Sequence, residues 1–157
     1  MYSCVYKSPL GDIILASDGE SICGLWFHDQ KYACAGLGES LEDSTLPVFE
    51  KAFLWLDAYF SASPLPSLPP LEPKGTEFQK RVWLALLRIP YGCTESYGEL
   101  ALRLGCKSPR AVGSAVGRNP ISLFLPCHRV LGAGGALTGY AGGLERKEYL
   151  LRLEGAI

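Results

Sequence analysis

Short apolar-rich runs at Cys4–Ser8 and Ile13–Ser17, parted by Pro9-Leu10-Gly11, predict two strands at the start of the chain. Asp18-Gly19 is a hairpin signal, since both residues tolerate the backbone of a tight turn, and it leads into a third run over Ile22–His28. The period then changes. Val48, Phe49, Ala52, Phe53, Leu56 and Phe60 recur at helical spacing within Leu46–Phe60, while residues 30–45 read as a loop. Five prolines within residues 61–73 exclude helix and central strand, because proline lacks the N–H that either needs; this stretch is a semi-extended connector.

Downstream the pattern is helical. Thr76 with Gln79 fits a capping box ahead of an apolar stripe of Phe78, Val82, Ala85, Leu86 and Ile89. Ser96 with Glu99 repeats the device and opens a helix to about Leu104. Gly105 makes a C-cap, Cys106-Lys107 complete the turn, and Ser108 with Pro109 starts a further helix to about Gly117. The pair predicts a helix-turn-helix. Its second helix is nearly bare: Ala111, Gly113, Ser114, Ala115 and Gly117 leave only Arg110 and Arg118 projecting. Such a surface suits close approach to a phosphate chain, and equally suits tight helix packing. A last amphipathic helix spans about Leu144–Leu153 through Leu144, Lys147, Leu150, Leu151 and Leu153. The whole predicts an α/β protein of two lobes, a sheet-plus-helix lobe over 1–72 and a helical lobe over 73–157.

Composition changes this picture in two ways. With 48% apolar and 20% charged residues, the 157-residue chain has the balance of an ordinary folded protein. No apolar run approaches the ~18 residues of a membrane helix, and the opening Met1-Tyr2-Ser3-Cys4 lacks the features of an export signal, so the cytoplasm is the expected location and no membrane partner is expected. The formal net charge of −1 hides an asymmetry. Residues 1–73 carry three lysines against ten acids, a net −7, whereas residues 74–157 carry twelve Lys and Arg against six acids, a net +6. A basic half suits contact with a polyanion.

Six cysteines are scattered without any C-x-x-C pair, as expected for reduced thiols rather than a disulfide framework. One of them stands out. Ile121–Leu125 reads as a buried, strand-like run ended by Pro126, which places Cys127 at the rim of a core beside His128 and Arg129. Positive neighbours and a base are what lower a thiol pKa and activate it.

Pro126-Cys127-His128-Arg129-Val130 resembles the active-site signature of the O6-alkylguanine-DNA alkyltransferases, bacterial type. Six further blocks resemble the family in order: Phe78-Gln79 to Trp83, Ser96 to Ala101, Arg110 to Gly113, Arg118-Asn119-Pro120, Thr138 to Gly143, and Lys147 to Gly155. The likeness is dense over 75–157 and looser over 1–60, where Ser8-Pro9-Leu10-Gly11 and Gly24-Leu25-Trp26-Phe27 carry it. It implies an RNase H-like N-terminal lobe and a winged helix-turn-helix. It also implies stoichiometric, irreversible transfer of an alkyl group from O6-alkylguanine, and from O4-alkylthymine, to Cys127. In that reading His128 is a base acting through a water, Glu154 orients His128, and Asn119 holds the turn that carries the cysteine. Double-stranded DNA containing the lesion is the implied partner, held in the minor groove by a monomer. Arg110 fills the vacated base stack and Tyr97 turns the 3′ phosphate. Ser96 and Arg118 are further DNA-binding candidates; Tyr140, Ala141 and Gly142 wall the base pocket, and backbone near Val130 and Ala141 reads the guanine edge.

The extended-segment reading puts Cys127 and His128 on opposite faces, which is why a water between them is expected. Displacement at an alkyl carbon needs neither metal nor organic cofactor. Cys4, Cys23, Cys34 and His28 are too widely spaced to suggest tetrahedral zinc, and Cys93 has no evident role. Three rivals compete: a non-catalytic lesion sensor, which would lack the motif cysteine; a helix-turn-helix regulator with a redox cysteine; and a Cys-His hydrolase.

Overall fold

The computed structural model describes all 157 residues. β1 (Tyr2–Ser8) and β2 (Gly11–Ser17) pair antiparallel, and Cys4 and Tyr6 turn into the core while Val5 between them stays exposed. β3 (Ile22–Phe27) pairs antiparallel with β2, and all six of its residues are buried. The segment expected to be loop contributes a two-residue strand, β4 (Leu41–Glu42), parallel to the outer edge of β1, so the sheet order is β3-β2-β1-β4. α1 (Pro47–Phe60) packs Val48, Phe49, Ala52, Trp55, Leu56 and Tyr59 inward; Phe53 and Phe60 are only half-buried.

The free edge of β3 decides where the second lobe sits. Its backbone is covered by two segments from downstream: Ile22 exchanges hydrogen bonds with Pro70 and Glu72, each 2.8 Å, and Leu25 with Pro120 and Ser122, 2.8 and 3.0 Å. An exposed sheet edge is thereby closed with the very turn that leads to Cys127.

α2 (Glu77–Leu86) and α3 (Tyr97–Arg103) each open with the expected capping box, Thr76 with Gln79 and Ser96 with Glu99. α4 (Pro109–Gly117) opens on a Ser108 cap with Pro109 in its first turn. The Trp83 indole N–H donates to the Ala115 carbonyl at 2.8 Å and so locks α2 onto α4, whose Val112, Ala115 and Val116 face inward. Glu95–Ser96 (β5) and Val130–Leu131 (β6) form a parallel pair, and α5 (Leu144–Leu153) closes the chain. A single core cluster of 29 buried residues runs from Cys4 to Leu150, so the two lobes share one interior.

Ile121–Leu125 is buried as expected, yet it is not a strand. Apart from one bridge to Leu25 it coils through turns, with Leu123 in the left-handed region at φ 71°. The Asn119 amide dictates this: its Nδ2 donates to the Leu125 carbonyl at 2.7 Å and its Oδ1 accepts from the Ile121 N–H at 2.9 Å. A side chain that satisfies the backbone of a turn displaces the ladder a strand would need.

Candidate active site

Cys127–Arg129 forms one turn of 3-10 helix rather than an extended segment, so alternation of faces does not separate Cys127 from His128. What separates them is the partner each side chain takes. His128 is fully buried, and its Nε2 lies 2.6 Å from Glu154 Oε2. The same carboxylate accepts from the Tyr59 hydroxyl at 2.6 Å, from Arg129 Nε at 2.8 Å and Nη2 at 3.1 Å, and from the Gly92 N–H at 3.3 Å. Burial alone would raise the Glu154 pKa, but these donors, His128 first, outweigh it and hold the carboxyl at about 2. An ionised carboxylate can only accept, so the His128 proton sits on Nε2. His128 Nδ1 is then a bare acceptor, and it has no partner within the protein.

His128 stays neutral. Burial is the main cause, and the nearby Arg129 and Lys147 charges add to it, against the pull of Glu154 in the other direction. Arg129, expected to lower the thiol pKa, turns away from it: its guanidinium is spent on Glu154 and on the Ile89 carbonyl at 2.7 Å. Burial instead raises the Cys127 thiol, and the neighbouring Asn119 and Ser122 side chains and the charge of Lys147 pull the other way.

Lys147 is the residue whose place the sequence reading left out. It sits in the apolar stripe of α5, wholly buried, with Nζ donating to the carbonyls of Val130 at 2.6 Å, Thr138 at 2.8 Å and Gly139 at 3.4 Å. Burial brings its pKa down to about 8, against an opposing pull from Cys127. A lysine in the middle of a leucine stripe was the available signal, because an unpaired buried ammonium is too costly to occur by accident.

A groove of about 360 Å³, large enough for a nucleobase, is lined by Tyr97, Gly113 and Arg118 from the helix-turn-helix and by Tyr140 and Ala141. Tyr97 and Tyr140 both feel the Cys127 charge, after burial the largest cause that raises their hydroxyl pKa. Tyr97 donates to the Gly139 carbonyl at 3.2 Å, whereas the buried Tyr140 hydroxyl has no partner. Gly142 must be glycine: a Cβ there would stand 2.7 Å from the Tyr140 ring and 3.0 Å from Phe27. Arg146 fastens this wall to the N-terminal lobe, bonding Gly142 and Leu10 carbonyls and pairing with Asp29.

Both halves of the chain match family models: residues 1–73 the "6-O-methylguanine DNA methyltransferase, ribonuclease-like domain" and residues 77–156 the corresponding "DNA binding domain". The chain belongs to the 6-O-methylguanine DNA methyltransferase family. A methylated-DNA–protein-cysteine methyltransferase of Haemophilus influenzae is 47% identical over 98% of this chain and 86% of its own length. One from Methanosarcina acetivorans is 46% identical over 99% of both. Crystal structures of the Mycobacterium tuberculosis enzyme superpose over 99% of this chain. One, in complex with DNA, covers 94% of that chain at 42% identity with a TM-score of 0.89; another covers 93% at 43% with 0.87.

Not every expected residue lies in the family's groove in the expected form. The Ser96 hydroxyl accepts the Glu99 N–H at 3.0 Å as a helix cap. The Val130 carbonyl is shared with Lys147 and that of Ala141 accepts the Lys31 N–H at 3.1 Å, so each keeps one lone pair for a base. Arg110 stands exposed at the start of α4, without an acidic partner. Cys4 and Cys23 are buried in separate strands, and no three His, Cys, Asp or Glu side chains converge on a common point. Glu154 and Tyr59 are invisible as partners from spacing alone, since 95 residues separate them.

Proposed function

We propose that this chain reverses alkylation damage in DNA by moving the alkyl group of O6-alkylguanine, and of O4-alkylthymine, onto Cys127 after the damaged nucleotide has swung into the groove. The observation that carries the reading is the buried chain His128–Glu154–Arg129, which leaves a neutral imidazole with a free Nδ1 lone pair beside a buried thiol. His128 takes the thiol proton through one water, held in that tautomer by Glu154. The sulfur attacks the alkyl carbon in line; the C–S bond forms as the C–O6 bond breaks, and its electron pair passes to the base. The base takes up one proton and leaves as neutral guanine, which balances the proton lost by the thiol. The thioether has no route back, so each protein acts once.

Lys147 supplies the positive charge that favours the thiolate. Lys147→Met keeps the length of the side chain and removes the charge, so the rise of the transfer rate with pH should move to higher pH. At neutral pH the rate should fall about tenfold for each unit of that movement. An unchanged pH profile would show that Lys147 serves only the three carbonyls.

The base must leave the helix to reach a buried sulfur, at a cost of a few kcal/mol. α4 is the element that enters the minor groove, its small residues allowing backbone approach, and Arg110 fills the vacated stack. Tyr97 turns the 3′ phosphate, Asn119 holds the cysteine turn, and Tyr140, Ala141 and Gly142 enclose the base. Arg110→Ala should slow transfer from a duplex strongly while changing reaction with free O6-benzylguanine little. Equal loss on both substrates would make Arg110 a pocket or folding residue. The boundary near residue 72 separates the lobe that braces the turn from the lobe that binds DNA. No helix is long and apolar enough to cross a membrane, and with its DNA substrate we assign the protein to the cytoplasm.

A further inference from the structure

The groove has a side that the helix-turn-helix does not supply. The loop after β3 reaches it from the acidic lobe and is anchored twice. Buried Gln30 accepts the Phe27 N–H at 2.9 Å and the Ser122 hydroxyl at 3.4 Å, and Lys31 donates its N–H to Ala141 on the pocket wall at 3.1 Å. Tyr32 follows in the left-handed region, φ 64°, a conformation that costs a residue with a Cβ and persists only where its surroundings impose it.

The result of that backbone is a stack. The Arg118 guanidinium lies 4.3 Å from the centroid of the Tyr32 ring, and the Lys31 ammonium lies 5.2 Å from the same centroid. All three side chains line the groove and are exposed, and neither cation has a carboxylate partner. Two like charges gathered on one ring repel each other, and an anion placed between them removes that cost. Lys31 is also one of only three Lys or Arg in residues 1–73, and another, Lys7, is paired with Asp12. A lobe of net −7 that puts one of its few cations on the rim of a DNA-facing groove has a use for it there.

We propose that Lys31, Tyr32 and Arg118 form a phosphate clamp through which the N-terminal lobe grips the DNA strand at the mouth of the base groove. Tyr32 is a positioning residue: its ring holds the Arg118 guanidinium in place, leaving the N–H groups free for phosphate oxygens. This rests on the DNA-repair reading and adds to it a contact from the lobe that carries no helix-turn-helix.

The test is binding of an undamaged duplex, by fluorescence anisotropy, across a range of salt concentrations. Lys31→Ala should lower the slope of log K against log salt by about 0.9, the value for one phosphate contact. Tyr32→Leu, which keeps bulk but loses the aromatic face, should weaken binding about two- to five-fold. Tyr32→Phe, which keeps the face, should bind like the unaltered protein. Combined with Arg118→Ala, Tyr32→Leu should cost nothing further, because the cation it positions is gone. An unchanged slope for Lys31→Ala, equal weakening by Leu and Phe, or additive losses in the double variant would each overturn the clamp. Alkyl transfer by the unaltered protein is read separately: its failure would overturn the repair reading, whereas only the binding series bears on the clamp.

Discussion

Cys127→Ser protein is expected to bind duplex DNA with unchanged affinity and to transfer no alkyl group. Cys127 is 4% exposed, so its replacement leaves the exposed side chains proposed to meet phosphate where they are. Serine is nearly isosteric with cysteine. What changes is nucleophilicity. Burial already raises the Cys127 thiol, and only Lys147 and neighbouring donors oppose this. An alcohol starts far higher and gains no thiolate-like character from the same surroundings, so His128 alone cannot generate a useful nucleophile. The result that counts against this is alkyl transfer by Cys127→Ser above the background rate, which would place the acceptor on one of the other five cysteines.

Glu154→Gln is expected to damage both stability and chemistry. The carboxylate receives His128, Arg129 and Tyr59, all three buried. Removing its charge strands the Arg129 guanidinium without a counter-ion, a loss of about 3–5 kcal/mol in comparable buried pairs. Linkage gives a similar size. A carboxyl held at about 2 in the folded protein against an ordinary 4.5 contributes on the order of 3 kcal/mol. The folded pKa is the lower one, so this stability is present above about pH 4.5 and is lost as pH falls towards 2. Acid unfolding followed by circular dichroism should therefore show a limb in that window for the unaltered protein, and a shallower one for Glu154→Gln. In the chemistry, an amide can donate as well as accept, so the proton is no longer fixed on His128 Nε2. Transfer should slow by about 10²–10⁴, the usual worth of a positioned general base. Wild-type transfer by a folded Glu154→Gln protein would remove His128 from the mechanism.

Local chemistry made much of the architecture legible. Both capping boxes and the Ser108-Pro109 start follow from interactions within four residues, which a linear sequence displays directly, and α5 follows from its apolar spacing. β1, β2 and β3 are legible for the same reason, each being bounded by turn residues, whereas the two-residue β5 and β6 leave no signal. Ile121–Leu125 was misread because an apolar run reports burial and not conformation, and the Asn119 amide that coils it acts across six positions. β4 is too short to leave a periodic signal. At the site, the motif pointed to Cys127 and His128, but the electrostatics were reversed. Arg129 adjoins the cysteine in sequence and serves Glu154, while the cation that opposes the rise of the thiol pKa is Lys147, 20 positions away. Tyr59 and Lys31 belong to the other lobe, and only the shared core brings them near.

In the proposed reaction one alkyl group passes to Cys127 and stays there. Intact mass of the protein after mixing with an excess of duplex containing O6-methylguanine decides this, with peptide mapping to locate the addition. A single methyl on the peptide that carries Cys127, with restored guanine released in equal amount and no second turnover, is the predicted result. Repeated turnover with an unmodified protein, or a methyl on any other residue, would contradict it.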